Sequence, residues 1–146
     1  MCGILSVHLV VEADDKRALW RRTTGLEVRV ARRLNALLGT KGRFWGDRYH
    51  ARALGTPREM RHAIVYVLMN WKKHARSARV FDPCSSAWWF TGWTEPPGTG
   101  APGWNHAGPP VEKPRVWLAR EGWARGGRID PSERPKEVPS ALGLRP

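Results

Sequence analysis

One helix is marked more clearly than any other element of this sequence, and it lies between residues 56 and 74. Thr56 can cap its N-terminus, Pro57 suits its first turn, and Glu59 completes a capping box three residues after the cap. Apolar side chains then follow the spacing of a single buried stripe, in the order Met60, Ala63, Ile64, Val67, Leu68 and Trp71. The sequence therefore predicts an amphipathic helix that packs along this stripe.

A second line of side chains runs along the polar side of the same helix. His62, Tyr66 and Asn70 lie more than a quarter turn from the apolar stripe, at roughly 100° per residue. A tyrosine at the rim of a helix is most often a packing residue whose hydroxyl stays in water. The alternative is a displayed phenol that acts as a nucleophile beside polar neighbours. This helix alone does not decide between the two.

Another helix is predicted upstream, between Asp14 or Asp15 as the N-cap and Gly39 as the C-terminal stop. Its apolar stripe consists of Leu26, Val30, Leu34, Leu37 and Leu38. Because glycine lowers helix propensity, Gly25 leaves open whether there is one helix or two shorter ones.

Two segments of the sequence are predicted to be strands. In the first, at residues 5–12, alternation places Ser6, His8, Val10 and Glu12 on one face; the second covers residues 43–54.

Three segments together carry a family resemblance: SVHLVVEADD near the start, RFWGDRYHARAL in the middle, and the helix with Tyr66 and Asn70. In this order and spacing they resemble the REP-associated and insertion-sequence-type single-tyrosine transposases of the HUH superfamily, over nearly the whole chain. The resemblance implies an α+β fold: an incomplete ferredoxin-like antiparallel sheet with packed helices, lacking its first strand-helix-strand portion, and an irregular C-terminal tail. Residues 1–79 would form the truncated transposase core.

The resemblance also implies a chemistry, in which single-stranded DNA is cleaved and rejoined through a phosphotyrosine intermediate. Tyr66 would be the nucleophile, and His8 and Asn70 would be ligands of Mg²⁺ or Mn²⁺. The family pattern His-hydrophobic-His has Ser6 in place of its first histidine here. Two hypotheses follow: a DNA-processing enzyme, and a catalytically inactive remnant that binds single-stranded or hairpin DNA. A longer protein with an upstream start is a third alternative, which the in-frame genomic sequence would decide.

The charge distribution independently indicates a nucleic-acid partner. Lys and Arg number 25 against 13 acidic residues, for a formal net charge of +12. Residues 1–79 hold 17 basic and 6 acidic residues, whereas residues 80–146 hold 8 and 7. The candidates for DNA contact are Arg29, Arg32, Arg33, Arg43, Arg48, His50, Arg52, Lys72 and Lys73. Aromatic residues interleave with these charges and offer stacking surfaces: Trp20, Phe44, Trp45, Tyr49 and Trp71. A GC-rich coding sequence is the alternative origin of the arginines.

Residues 80–146 have a different composition. A Trp-rich segment over residues 81–93 is predicted to dock onto the core, and residues 94–114 form a Pro/Gly connector. Residues 117–127 read as one short helix anchored by Trp117, Leu118 and Trp123. The four prolines of residues 128–146 predict disorder.

Several other classes of protein are excluded by the sequence. No apolar run approaches the roughly 18 to 20 residues of a membrane span, and the N-terminus lacks the basic leader of a secretory signal. Cys2 and Cys84 are isolated and give neither a zinc spacing nor a disulfide framework, which favours a reducing cytoplasm. There is no phosphate-binding glycine loop and no paired-carboxylate site. The expected partner is DNA, without a membrane, and both a monomer and a homodimer are left open.

Overall fold

A computed structural model describes residues 7–46, 49–73, 81–96 and 108–135, except for the side chain of Lys73. Two long helices dominate these ranges, α1 at Lys16–Leu38 and α2 at Pro57–Met69. A 3-10 turn at Asn70–Lys73 continues α2. The remaining elements are a 3-10 turn at Ser86–Trp89, a one-turn helix α3 at Trp117–Arg120 and a 3-10 turn at Gly122–Gly126. Contacts divide the chain into two units, the α1 unit, Val11–Ala53, and the α2 unit, Met1–Val10 with Leu54–Pro146.

Helix α1 begins and ends at the residues that the sequence predicts. The Asp15 carboxylate accepts a hydrogen bond from Ala18 N at 2.7 Å, and Gly39 ends the helix in the left-handed region at φ 64°. Gly25 does not interrupt the helix, so the one-helix alternative holds. The predicted apolar stripe, however, is not buried: no α1 side chain is buried, and Leu37 is 80% exposed. Within this unit the following segment bonds to Glu27 and Asn35 and leaves the terminal leucines uncovered.

Helix α2 starts with the predicted capping box. Thr56 Oγ1 accepts from Glu59 N at 3.2 Å, and Glu59 Oε2 accepts from Thr56 N at 3.1 Å. The buried face differs from the predicted stripe, because it consists of Met60, Val65, Leu68 and Met69. Met60 and Leu68 of the predicted stripe are buried, whereas its other members, Ala63, Ile64, Val67 and Trp71, are only partly buried. The centre of the buried face is therefore rotated by roughly 100° from that of the predicted stripe, at 100° per residue. The reason is tertiary: the C-terminal half of the chain packs on this side of the helix.

The core of the α2 unit joins that helix to residues far along the chain. Its buried members are Met60, Val65, Leu68, Met69, Phe81, Ala87, Trp93, Trp123 and Ile129. Aromatic rings form much of it, with Phe81 and Trp93 at 4.9 Å between centroids and Phe90 and Trp123 at 5.2 Å. The Trp-rich segment is therefore docked on α2. A Cβ at Gly92 would lie 2.2 Å from Trp123 Cη2, so this packing requires a glycine.

The predicted ferredoxin-like α+β sheet is wrong for the described residues, which are mostly helical and contain no strand. Their one β contact is an isolated parallel bridge between Trp93 and Ile129. Residues 7–13 and the described parts of 43–54 have neither helix nor ladder. The reason is that a strand requires a neighbour to accept and donate its backbone hydrogen bonds. Within the described residues, the strand-like alternation of these two segments meets no such neighbour.

The predicted disorder of residues 128–146 is also wrong over the part that the structure describes. Ile129 is fully buried, and its N–H donates to Gly92 O at 3.0 Å. Glu133 N donates to Asp130 O at 3.0 Å, which closes a turn. Residues 127–134 therefore form a segment that packs on the core despite its proline, and we call this segment the strap. Residues 136–146 lie outside the described ranges. No helix in those ranges is long and apolar enough to cross a bilayer.

Candidate functional site

Tyr66 and His8 meet in the α2 unit. The capping box fixes the start of α2, and the core fixes its rotation, so that Tyr66 lies on the side of the helix away from Met60 and Leu68. The His8 ring belongs to the irregular residues 7–10 of the same unit. The two ring centroids are 4.9 Å apart with an interplanar angle of 87°, an edge-to-face pair. Both side chains are partly buried, so the phenol is neither fully solvated nor packed beneath the apolar core.

Asn70 follows Tyr66 by four residues and opens the 3-10 turn that extends α2. Its backbone stays helical at φ −58° and ψ −32°, so its Cβ remains on about the same side as that of Tyr66. Asn70 is partly buried and His62 is exposed. The sequence thus placed the tyrosine and the amide on one helix surface, and the tertiary structure brings the imidazole to the tyrosine.

Few of the described side chains near Tyr66 could act as ligands of a metal ion. Within the described residues no group of three His, Cys, Asp or Glu side chains could hold a metal ion. His8 and Asn70 offer one imidazole and one amide, whereas Mg²⁺ prefers oxygen ligands that include carboxylates. Ser6, at the position of the first histidine in the family that the sequence resembles, lies outside the described residues. The donor set of these two residues does not by itself fit a resident Mg²⁺ or Mn²⁺, and no step below is derived through one.

The predicted DNA-contacting residues fall into two groups, one of which lies in the α1 unit. Arg29, Arg32 and Arg33 are exposed on α1, opposite its partly buried face. Arg43 is exposed and donates from Nε to Trp45 O at 2.8 Å and from Nη2 to Gly46 O. His50 and Arg52 are exposed in the irregular segment that leads to α2, and Arg48 lies outside the described residues.

The second group lies at the end of α2, and its described member is engaged internally. The Lys72 ammonium donates to the carbonyl oxygens of Pro131 and Glu133 in the strap. Desolvation by the strap lowers the pKa of Lys72, and the nearby Arg134 lowers it further. Lys72 therefore holds the strap rather than facing solvent as a free cation. The side chain of Lys73 lies outside the described residues.

Sequence reasoning missed the residue that organises the strap, Arg61. Its guanidinium donates to both Glu133 carboxylate oxygens, at 2.9 and 2.7 Å, and to the carbonyls of Gly127 and Arg128, at 3.3 and 3.1 Å. The hydrogen bond from Arg61 lowers the pKa of Glu133 against the opposing effect of burial, and the same bond raises the pKa of Arg61. No local signal could have identified this pair, because 72 residues separate its members.

Comparisons of this chain with protein-family models, with curated proteins and with solved structures give no match.

Proposed function

We propose that this protein binds single-stranded or hairpin DNA through the arginine face of α1. The observation that carries the proposal is the distribution of charge on this helix, which holds seven basic residues and one acidic residue. Its six arginines are all exposed, and they are Arg17, Arg21, Arg22, Arg29, Arg32 and Arg33. At roughly 100° per residue they cover the half of the helix opposite its partly buried side.

The dimensions of this face fit a strand backbone. Arg17 and Arg33 are about 24 Å apart along the axis at 1.5 Å per residue. Arginine binds phosphate bidentately and stacks on bases, which suits a strand whose bases are unpaired. Each phosphate that the face neutralises releases counterions, so the logarithm of the affinity falls with the logarithm of the salt concentration by about 0.7 per contact on a single strand. With five contacts, a plot of the logarithm of the affinity against the logarithm of the salt concentration would have a slope of about −3.5.

The binding test uses charge-matched variants of the full chain. Replacement of Arg29, Arg32 and Arg33 by Gln should weaken binding of a labelled hairpin oligonucleotide by at least about tenfold at moderate salt and make the salt slope shallower by about two. The control replaces Arg115, Arg120 and Arg134 by Gln, which removes the same charge from exposed positions outside α1. Equal weakening by both variants would show that net charge alone, and not the α1 face, drives binding.

A second candidate function is strand cleavage by Tyr66, and the 4.9 Å pairing of its ring with His8 favours it. In such a step the phenolic oxygen bonds to phosphorus, the bond from phosphorus to one sugar oxygen breaks, and that oxygen takes a proton. An imidazole beside the phenol can accept the phenolic proton. We rank cleavage below binding because this chain keeps only one histidine of the pair in the family that it resembles.

The cleavage test looks for a covalent adduct between the protein and a labelled hairpin strand in the presence of Mg²⁺ or Mn²⁺. Wild type and Tyr66→Phe should bind DNA alike, since the phenol is not part of the α1 face, and both should give little or no adduct. Efficient adduct formation that Tyr66→Phe abolishes would overturn this ranking and make the protein a tyrosine transposase-like enzyme. His62→Gln, an exposed change on the same helix, is the control.

A further inference from the structure

The α1 unit contains an open cleft of about 360 Å³ between the second half of α1 and residues 42–45. This volume lies within the range of sites for small organic ligands. Its lining combines two aromatic rings, Phe44 and Trp45, with two arginines, Arg32 and Arg43, and one carboxylate, Glu27. Aromatic faces next to guanidinium groups are the means by which proteins hold unpaired bases and their phosphates.

The aromatic wall is held in place by α1. Trp45 Nε1 donates to Glu27 O on the helix at 2.9 Å, which fixes the plane of the indole. The Phe44 ring stands against it with a centroid distance of 5.0 Å and an interplanar angle of 88°. Both rings are only partly buried. They therefore keep a surface that a flat ligand can reach, and little ordering is left to occur on binding.

Asn35 fixes the other side of the cleft. Its Nδ2 donates to Gly42 O at 3.0 Å, and its Oδ1 accepts from Thr40 Oγ1 at 2.9 Å. The side-chain amide thus uses both of its ends to hold the turn after α1 against the helix. The segment that carries Phe44 is consequently tied at Asn35 and at Glu27, two turns apart on one helix.

The charged groups of the cleft are available for a ligand. Arg32 is exposed and makes no side-chain hydrogen bond within the described residues. Arg43 uses some of its five N–H donors on backbone carbonyls and keeps others. Glu27 is the only acidic residue of α1, and its carboxylate has no ion-pair partner in the part of the chain that the structure describes. A carboxylate close to a phosphate site repels the phosphate, so Glu27 would favour a nucleotide only where it accepts a hydrogen bond from a base amino group.

We propose that this cleft binds one unpaired nucleobase of a DNA strand, with Phe44 and Trp45 against the base, Arg32 and Arg43 at the flanking phosphates, and Glu27 accepting from an exocyclic amino group. The inference rests on the proposed DNA binding and makes it more specific. Bases that carry an amino group opposite the carboxylate, such as cytosine, are favoured over thymine, which presents a carbonyl oxygen there.

The test compares labelled oligonucleotides of equal length and charge: oligo-dC, oligo-dT and a strand of abasic nucleotides. The full-length protein should bind oligo-dC about tenfold more tightly than the abasic strand. Phe44→Leu, which keeps apolar volume but has no ring face, should remove most of that difference, and Phe44→Trp should restore it. Leu37→Ala removes an apolar side chain that is 80% exposed on the same helix outside the cleft lining, and should leave the difference unchanged. Circular dichroism checks the folding of each variant.

The outcomes separate the two proposals. If the wild type binds the abasic strand and oligo-dC equally and with salt sensitivity, the cleft proposal is overturned and the DNA-binding function stands. If it binds neither strand, both fail. Equal affinity for oligo-dC and oligo-dT would remove the role of Glu27, whereas loss of the preference for oligo-dC in Glu27→Ala would support it. If oligo-rC bound more tightly than oligo-dC, and if Phe44→Leu removed that tighter binding, the assignment of the ligand to DNA would be overturned. The wild-type comparison decides the matter even if Phe44→Leu does not fold.

Discussion

Replacement of Glu133 by Gln tests how the strap is attached to α2. The substitution keeps the size of the side chain but removes its charge and turns one acceptor into an NH₂ donor that faces Arg61. Two charge-assisted bonds, at 2.9 and 2.7 Å, are affected. Bonds of this type contribute about 1.5 to 3 kcal/mol, and exposed ion pairs about 0 to 1 kcal/mol. The Arg61 and Glu133 side chains are 17% and 30% exposed, so we expect a loss near 2 kcal/mol.

The stability lost in Glu133→Gln should be larger at neutral pH than at acidic pH. The bond from Arg61 lowers the pKa of Glu133 in the folded state, while the unfolded glutamate titrates near 4.3. The folded state therefore binds its proton at a lower pH than the unfolded state does. The stabilisation is fully present above about pH 4.3 and is lost as the pH falls through the folded pKa. Arg61, whose pKa is raised, stays charged throughout this window and adds no pH dependence.

The assay is chemical and thermal unfolding of the full chain, followed by circular dichroism at pH 7 and at pH 3. At neutral pH a loss of about 2 kcal/mol corresponds to a fall in Tm of roughly 8 °C for a unit of this size. At pH 3 the wild type and Glu133→Gln should approach each other. Glu121→Gln serves as the control, since its pair with Arg120 is 55% and 59% exposed and adjacent in sequence; it should change Tm little. A deficit in Glu133→Gln that is equal at both pH values would refute the role of the ion pair.

Three further substitutions test the packing and the helix ends by the same unfolding measurement. Gly92→Ala should destabilise the α2 unit by about 2 kcal/mol or more, because its Cβ would lie 2.2 Å from Trp123 Cη2; an unchanged Tm would contradict the tight packing of Trp123 against Gly92. Gly25→Ala should instead stabilise α1 by about 0.5 to 1 kcal/mol, since nothing lies within 4 Å of the added methyl group. Thr56→Ala should cost about 1 kcal/mol through loss of the cap to Glu59 N, and a neutral result would show that the capping box does not limit stability.

The relation between local signals and the fold is clearest at the helix ends. Thr56, Asp15 and Gly39 act within one helical turn, so the sequence alone predicts where α1 and α2 begin and where α1 stops. The alternation that predicts strands at residues 5–12 and 43–54 is equally local. It fails because a strand, unlike a helix, satisfies its backbone groups on another segment, and no described segment supplies that partner.

In the candidate site, too, local signals predict part of the arrangement and contacts between distant segments decide the rest. A single helix carries Tyr66 and Asn70, and their four-residue spacing defines a shared surface without reference to the rest of the chain. The contact between Tyr66 and His8, by contrast, joins residues that only the fold of the α2 unit brings to 4.9 Å. In the α1 unit, Trp45 and Glu27 form one wall of the cleft across 18 residues. Residue types suggested nucleic acid, but they did not indicate which side chains meet.

The sequence by itself determined the two helices, their caps and the basic surface of α1, because helix propensity, capping and charge are properties of neighbouring residues. Only the tertiary structure decided which side of α2 is buried, that Arg61 and Lys72 hold the strap, and that Ile129 belongs to the core. Each of these depends on segments about 60 to 70 residues apart in the chain. Distant segments pair in the way that buries the most apolar area and gives hydrogen-bond partners to the buried polar groups. No local sequence pattern specifies that outcome.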